Sequence, residues 1–303
     1  MSRVDEAWRR ASSLTGHGAG VAAHAQRFEE SDDAVLQHYP REARAPIAPG
    51  TSAERWPQRT VLAPRTGDRH QLGSPPVEFE HKLVLSERAA PIAVEQYRRI
   101  AGALHELQVD HGLKSVMVTS AAPEEGKTLT VANLALTLSG SCSRRVLLVD
   151  ADLRQPQLHE VFRLPNATGL SDLLRSERSE IPVLKVSDHL SILTAGQSEQ
   201  PMAALTSDRM RKLLEQFSGT FDWVLFDAAP VGYLPDAHLL SRLTGAVLFV
   251  IAAHSTQHSL VSRAIGGLDP ERIVGIVLNG VDVRNIPAAG YYAKYYRQPR
   301  ETD

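Results

Sequence analysis

The residues with the clearest chemical meaning form one short run in the chain, Ala121-x-x-x-x-Gly126-Lys127-Thr128. The apolar stretch at 116–118 predicts a buried strand before this run, and the apolar spacing after it predicts a helix. A tight loop between a strand and a helix points backbone N–H groups and the positive end of the helix at an anion. Gly126 allows close approach, Lys127 can reach terminal phosphates and the Thr128 hydroxyl can bind Mg²⁺. The sequence therefore predicts a phosphate-binding loop with alanine replacing its first glycine.

Three aspartates end or follow other predicted strands. Asp150 and Asp152 come after one apolar run, and Asp227 comes after another. Ligands of open parallel sheets bind at the carboxyl ends of the strands, so we expect these carboxylates to face the phosphate-binding loop. Together with Thr128 they are the predicted Mg²⁺ ligands, although each aspartate could instead be a turn or helix-capping residue.

Strands and helices alternate from residue 115 onward. This alternation is typical of an α/β fold, here a P-loop NTPase-like, mostly parallel sheet flanked by helices. The predicted strands are 115–119, 145–149, 191–193, 222–226, 246–251 and 273–278, and the predicted helices are 127–139, 157–162, 170–176, 203–217, 237–243 and 259–268.

Residues 1–80 read as a largely disordered N-terminal extension, because proline, glycine and mixed charges interrupt any periodicity. A short amphipathic helix is possible near its start, at 4–14. Residues 82–86 could be extended, and a helix beginning at Pro91 should follow. Glu95 and Arg98 would lie on the surface of that helix, where they could pair with each other or reach another subunit.

Four of the seven tyrosines lie close to the C-terminus. The stretch contains Gly290 and Pro299 and shows no amphipathic pattern that would bury the rings. We therefore predict an exposed, flexible tail over residues 288–303, after a P-loop domain at 81–287. A flexible tyrosine tail on a nucleotide-binding domain suggests phosphate acceptors, namely Tyr291, Tyr292, Tyr295 and Tyr296.

Composition narrows the possible functions. The formal net charge of −2 gives no strong attraction to nucleic acid. The longest apolar run, 246–253, is far shorter than the ~20 residues that span a bilayer, and the N-terminus has no apolar signal core. Cys142 is the single cysteine, which excludes a disulfide framework. We expect a cytoplasmic protein in which any membrane role requires a partner or a surface contact.

These motifs, in this order and spacing, resemble those of the bacterial tyrosine kinases (BY-kinases) of capsule and exopolysaccharide assembly, in their soluble form. The resemblance covers about residues 81–296. The matching segments are the Walker A loop at 120–128, Walker A′ at 149–154, Walker B at 226–230, the subunit-contact helix at 95–99, the segments 194–196 and 278–279, and the tyrosine tail.

The resemblance implies an ATP- and Mg²⁺-dependent protein-tyrosine autokinase that regulates polysaccharide polymerisation and export. It implies catalytic roles for Lys127, Asp150, Asp152 and Asp227. Asp150 would be the base for the tyrosine hydroxyl or only a metal ligand. The implied ATP-binding residues are Ala121, Ala122, Pro123, Glu124, Glu125, Gly126, Lys127, Thr128 and Leu129, with Asn279 contacting the adenine.

The resemblance also implies partners. These are a membrane-bound polysaccharide co-polymerase that activates the kinase and recruits it to the inner face of the membrane, a cognate tyrosine phosphatase, and a homo-oligomer formed through Glu95 and Arg98. Two positions depart from the family pattern. Glu124 stands where the family usually has glycine, and Ala101 stands where it usually has a second arginine.

Two other classes of protein remain open on the sequence alone. A spatial-organisation ATPase of the MinD/ParA type shares the expected fold, but the second lysine of its loop is replaced here by Ala122. A nucleotide-dependent adaptor with weakened catalysis is the non-enzymatic alternative, and Glu124 is the feature that suggests it.

Overall fold

A seven-stranded sheet organises the part of the chain that the structure, a computed structural model, describes: residues 76–86, 89–175, 183–198, 205 and 207–282. The strand order is β3-β4-β2-β5-β1-β6-β7, and every neighbouring pair is parallel except β3 with β4. The predicted mostly parallel sheet is thus confirmed. The strands are β1 Ser115–Ser120, β2 Val146–Asp150, β3 Leu184–Lys185, β4 Leu190–Leu193, β5 Trp223–Asp227, β6 Ala246–Ala252 and β7 Ile273–Asn279.

Helices flank this sheet, as predicted. Most bounds fall within one or two residues of the expected ones, but the short edge strand β3 was missed because two half-exposed residues carry no periodic signal. Residues 82–86 form turns where an extended segment was expected. The helices are α1 Val77–Glu80, α2 Pro91–His111, α3 Lys127–Gly140, α4 Leu158–Val161, α5 Leu170–Arg175, α6 Asp208–Thr220, α7 Pro235–Leu243 and α8 His258–Gly266, with a 3₁₀ turn at Pro270–Arg272.

The central strands are buried on both faces, which explains their continuous apolar sequences. Every residue of β1, β2 and β5 is buried. Helix α3 begins at the end of the loop that follows β1 and is buried along most of its length, because α2 covers it on the side away from the sheet. The sheet and α3 together form the rigid frame that carries the loops at the carboxyl ends of the strands.

A side-chain clamp joins the segment before α2 to this frame. Asn133 of α3 is buried; its Oδ1 accepts from the Val84 N–H at 2.8 Å, and its Nδ2 donates to the Lys82 carbonyl at 2.9 Å. Leu83, between the two partners, is buried in the same apolar cluster as Ala101 and belongs to the core. The turn at 82–84 is therefore an integral part of the domain.

The structure does not test several of the sequence predictions. The expected helix at 4–14 and the tail at 288–303 lie outside the described residues, and α1 begins before the domain boundary expected at residue 81. Within the described ranges, no helix combines the length and apolar character that a bilayer crossing requires.

We expect Asn133→Ala to lower the free energy of unfolding by about 2 kcal/mol, because it leaves a partly buried N–H and a carbonyl of the 82–84 turn without their side-chain partner. Chemical denaturation measures this change. Lys82→Arg is the control, since it keeps both the carbonyl and the positive charge. An Asn133→Ala protein as stable as the control would show that the clamp contributes nothing.

Candidate active site

The phosphate loop, residues 121–128, connects the end of β1 to the start of α3. Gly126 has φ 89°, a left-handed conformation that favours glycine. A Cβ on Gly126 would lie 2.0 Å from the Asn279 amide nitrogen, which itself donates to the Glu125 carbonyl at 2.9 Å. The loop therefore needs glycine here both for its conformation and for its packing against the end of β7.

The first turn of α3 presents an electropositive end to the loop. It contains no acidic residue, and no side chain of the described residues caps its N–H groups. Lys127, the first residue of the helix, is only 7% exposed. A buried cation at the positive end of a helix is unfavourable unless anions lie nearby. The uncapped amides and the lysine together provide a site suited to phosphate.

Three carboxylates surround the Lys127 ammonium. Its Nζ lies 3.1 Å from an Asp152 carboxylate oxygen and 3.9 Å from one of Asp227. Asp150 and Asp227 are direct register partners on the neighbouring parallel strands β2 and β5. The sheet thus brings together the four residues that the sequence predicted as the catalytic group.

Several carboxylate oxygens of this cluster lack hydrogen-bond partners. Asp150 accepts from the Leu158 N–H at 3.0 Å through one oxygen, while its other oxygen and both oxygens of Asp227 are buried without a partner among the described residues. Buried polar atoms are rarely left unpaired unless a ligand or an ion satisfies them. Oxygen donors of this type fit Mg²⁺.

The cluster is not a complete metal centre on its own. No three histidine, cysteine or acidic side chains in the described ranges are arranged to hold a metal ion by themselves. Mg²⁺ in nucleotide sites usually binds one or two carboxylates together with water and phosphate oxygens. Asp227, whose two carboxylate oxygens have no partner among the described residues, fits that mode, in which the nucleotide completes the coordination.

Burial and mutual repulsion set the ionisation of the cluster. Burial raises the pKa of Asp227 to about 6, although Lys127 counteracts the shift. Burial and the Asp227 charge raise the pKa of Asp150 well above its usual range. Burial alone would lower the pKa of Lys127, but the charges of Asp227 and Asp152 outweigh it and raise that pKa. The lysine is charged, while the two register-paired carboxylates resist ionisation.

The other two predicted ligands, Thr128 and Asp152, are also buried and make contacts with neighbouring residues. The Thr128 hydroxyl lies 3.4 Å from Lys127 Nζ and donates weakly to the Gln157 side chain at 3.3 Å. The second oxygen of Asp152 accepts from the Gln155 N–H at 3.1 Å. The Gln157 contact was not predicted, because nothing in its sequence context marks a residue that precedes a one-turn helix as part of a site.

The chain after β5 packs directly on the phosphate loop. The Val231 N–H donates to the Ser120 carbonyl at 2.9 Å. A Cβ on Gly232 would lie 2.1 Å from the Ala121 carbonyl oxygen, so any side chain there would displace the loop. Sequence reasoning missed Gly232, because an isolated glycine after a strand reads as an ordinary turn residue.

Glu124 departs from the family pattern in an informative way. Its φ of 62° is left-handed, which explains why glycine is the usual residue at this position. The side chain is exposed. Glutamate in place of glycine at position 124 therefore strains the backbone of the loop but does not bury a charge.

Glu95 and Arg98, which were predicted to contact another subunit, lie on α2. Arg98 Nη1 is 3.6 Å from Glu95 Oε2, which is the within-helix pairing. Ala101 is only 2% exposed, so the position where the family usually carries a second arginine belongs to the core in this chain. The four tail tyrosines lie outside the described residues.

Comparisons with known proteins agree with this geometry. No family model matches the chain. The tyrosine-protein kinase YwqD of Bacillus subtilis is 34% identical over 203 residues, which are 65% of this chain and 85% of YwqD. The succinoglycan biosynthesis transport protein ExoP of Rhizobium meliloti is 31% identical over 200 residues, which are 63% of this chain but only 25% of ExoP.

A solved structure supports the same relationship. The kinase domain of the Escherichia coli tyrosine kinase ETK superposes with a TM-score of 0.58 at 30% identity, covering 65% of this chain and 78% of that domain. That domain shares the arrangement of sheet and helices that positions the phosphate loop and the aspartates in this chain. Because the similarity to YwqD spans most of that kinase, the chain belongs to the bacterial tyrosine kinase family.

Proposed function

We propose that this protein is an ATP- and Mg²⁺-dependent protein-tyrosine autokinase that phosphorylates the C-terminal tail of a neighbouring subunit. The observation that carries the proposal is the Lys127 ammonium, enclosed by Asp152 and Asp227 beside the uncapped first turn of α3. This arrangement pairs a phosphate-binding cation with carboxylates that need a metal ion.

The chain would bind the triphosphate through the loop amides and Lys127. Mg²⁺, when bound, would neutralise charge on the phosphate oxygens, held by Thr128 and Asp227 with Asp152 assisting. Lys127 would then move from the carboxylates toward the terminal phosphates. Positioning and charge neutralisation would supply most of the rate, as is usual for phosphoryl transfer.

Asp150 is the group best suited to accept the proton of the attacking tyrosine. A tyrosine hydroxyl has a pKa of about 10, so its attack on the γ-phosphorus benefits from a nearby base. Burial and the Asp227 charge raise the pKa of the Asp150 carboxyl, so once ionised it would accept a proton more readily than an ordinary carboxylate. The phenolic oxygen forms the new bond to phosphorus, ADP leaves, and the proton passes to Asp150.

The acceptors would be Tyr291, Tyr292, Tyr295 and Tyr296. The tail follows β7, whose last residue, Asn279, lies against the phosphate loop. Each phosphate adds a charge of about −1.5 to −2, so several phosphates would reverse the sign of a segment that holds Lys294, Arg297 and Arg300. Phosphorylation would thus release the tail from the acidic site of the neighbouring subunit that modified it.

The proposed cellular role is control of exopolysaccharide or capsule polymerisation and export. It is supported by the similarity to ExoP, a protein named for succinoglycan transport. The kinase would act with a membrane-bound co-polymerase that activates it and brings it to the inner face of the membrane, and a phosphatase would reverse the modification. Glu95 and Arg98 would form a homo-oligomer contact by exchanging their internal pair for pairs between subunits.

Phosphotyrosine detection after incubation with ATP and Mg²⁺ tests the proposed activity. We expect strong labelling of the wild type, a loss of about 10²–10³-fold in Lys127→Met, and no labelling of a chain truncated after Gly290. Lys185→Met, the same change at a lysine on the sheet edge, should label like the wild type. Equal labelling of Lys127→Met would refute the kinase assignment, and full labelling of the truncated chain would refute the tail as acceptor.

Asp227→Asn should abolish labelling and yet stabilise the nucleotide-free protein. At pH 7.5 we expect its free energy of unfolding to exceed that of the wild type by about 2–3 kcal/mol, since a raised carboxyl pKa reflects a buried charge that folding disfavours. Denaturation curves without Mg²⁺ measure this difference. An Asp227→Asn protein less stable than the wild type would contradict the view that the cluster is strained without its ligand.

The stability difference should also depend on pH. Because the Asp227 pKa is raised from 3.8 to about 6, the folded wild type takes up a proton below about pH 6 and escapes the penalty. The wild type should therefore approach the stability of Asp227→Asn as pH falls from 7.5 to 4.5, as seen in denaturation curves across that range. If the difference in free energy of unfolding between the two proteins stayed constant from pH 7.5 to 4.5, the pKa of Asp227 would lie outside that range.

A further inference from the structure

The Glu125 side chain makes a set of contacts that neither catalysis nor phosphate binding explains. Glu125 is only 2% exposed. Its Oε2 accepts from the Ala122 N–H at 2.5 Å, and its Oε1 accepts from the Ala252 N–H at 3.2 Å and from the Thr256 hydroxyl. We call the contacts of Glu125 with Ala252 and Thr256 the loop clasp, because they join the phosphate loop to the turn between β6 and α8.

We propose that Glu125 and Thr256 are positioning residues that hold the phosphate loop in its nucleotide-binding shape before the nucleotide arrives. The inference rests on the proposed binding of ATP by this loop. It assigns the two side chains a role in nucleotide affinity and none in the chemical step.

The charge of Glu125 is the first argument. No cation of the described residues forms an ion pair with this carboxylate, which is instead stabilised by two backbone N–H groups and one hydroxyl. A negative charge within a loop that must bind a triphosphate opposes binding electrostatically. Both carboxylate oxygens of Glu125 accept hydrogen bonds from the protein, so the side chain at this position needs two acceptor oxygens. This requirement explains why the loop contains a glutamate although its charge opposes phosphate binding.

A second connection runs through the backbone of the same residues. The Glu125 carbonyl accepts from Asn279 Nδ2 at 2.9 Å, and the Asn279 carbonyl accepts from the Ala253 N–H at 2.7 Å. The phosphate loop, the turn after β6 and the end of β7 are thus joined in a closed ring of hydrogen bonds. Thr256 is the one member of this ring, apart from Glu125 and Asn279, that contributes through its side chain.

The conformation of the loop is the third argument. Glu124 and Gly126, on either side of Glu125, both have left-handed backbones, with φ of 62° and 89°. A non-glycine residue keeps that conformation only where its surroundings impose it. The clasp holds the residue between the two left-handed positions, and a loop fixed in this way loses less entropy when it binds a ligand.

Thr256→Val provides the sharpest test, because it removes the hydroxyl donor while preserving side-chain shape and the charge of Glu125. We expect the KM for ATP in the tyrosine-labelling reaction to rise about 10-fold, as for loss of a hydrogen bond to a charged group, with kcat changed less than about 2-fold. Thr256→Ser should restore the wild-type KM, and Ser255→Ala, on the same exposed turn, should leave it unchanged. Glu125→Gln should raise the KM at least as much as Thr256→Val, because its amide NH₂ would face an N–H donor.

The outcomes separate the inference from the proposed function. A wild type that fails to bind a fluorescent ATP analogue would overturn the proposed function. A wild type that binds ATP, with Thr256→Val showing an unchanged KM, would overturn the clasp alone. The clasp would also be overturned if Thr256→Val lowered both kcat and thermal stability and Thr256→Ser restored neither. That result would show a purely structural role for Thr256.

Discussion

The burial of Asp150 and Asp227 side by side is the constraint on which the candidate active site depends. The two carboxylates are register partners on adjacent parallel strands, and neither is reached by solvent. Like charges this close oppose each other's ionisation, and burial adds to the effect. Lys127 offsets part of the repulsion but leaves oxygens of both aspartates without hydrogen bonds. These unsatisfied oxygens are the reason we propose that a metal cation binds beside Lys127.

The strand order is what creates this strained arrangement. β5 lies between β2 and β1, so Asp227 sits between Asp150 on one side and the strand that leads into the phosphate loop on the other. Because parallel strands all end at one edge of the sheet, the acids and the loop must meet there. The apolar cores on the two faces of the sheet hold the strands in register, so the stability of the core compensates for the instability of the site.

The same geometry shows why part of the site could be predicted from the sequence. Gly126, Lys127 and the aspartates follow long apolar strands, where strand ends are clear and their common edge follows from the fold class. Gln157, Gly232 and Thr256 could not be predicted, because each acts through a contact across the fold at a separation set by packing. The short strand β3 was missed for a different reason, since its pairing with β4 depends on a tertiary contact and has no local pattern.

The two adjacent glutamates of the loop show how similar residues acquire different roles from backbone placement. Glu124 and Glu125 both put a carboxylate near a phosphate-binding loop, yet one is exposed and the other is buried. Glu124 has a left-handed backbone and an exposed side chain, so water screens its charge. The next residue is held by hydrogen bonds on both of its carboxylate oxygens and on its carbonyl. A loop with two acids can therefore still serve as an anion site, because one charge is screened by water and the other is already satisfied by the protein.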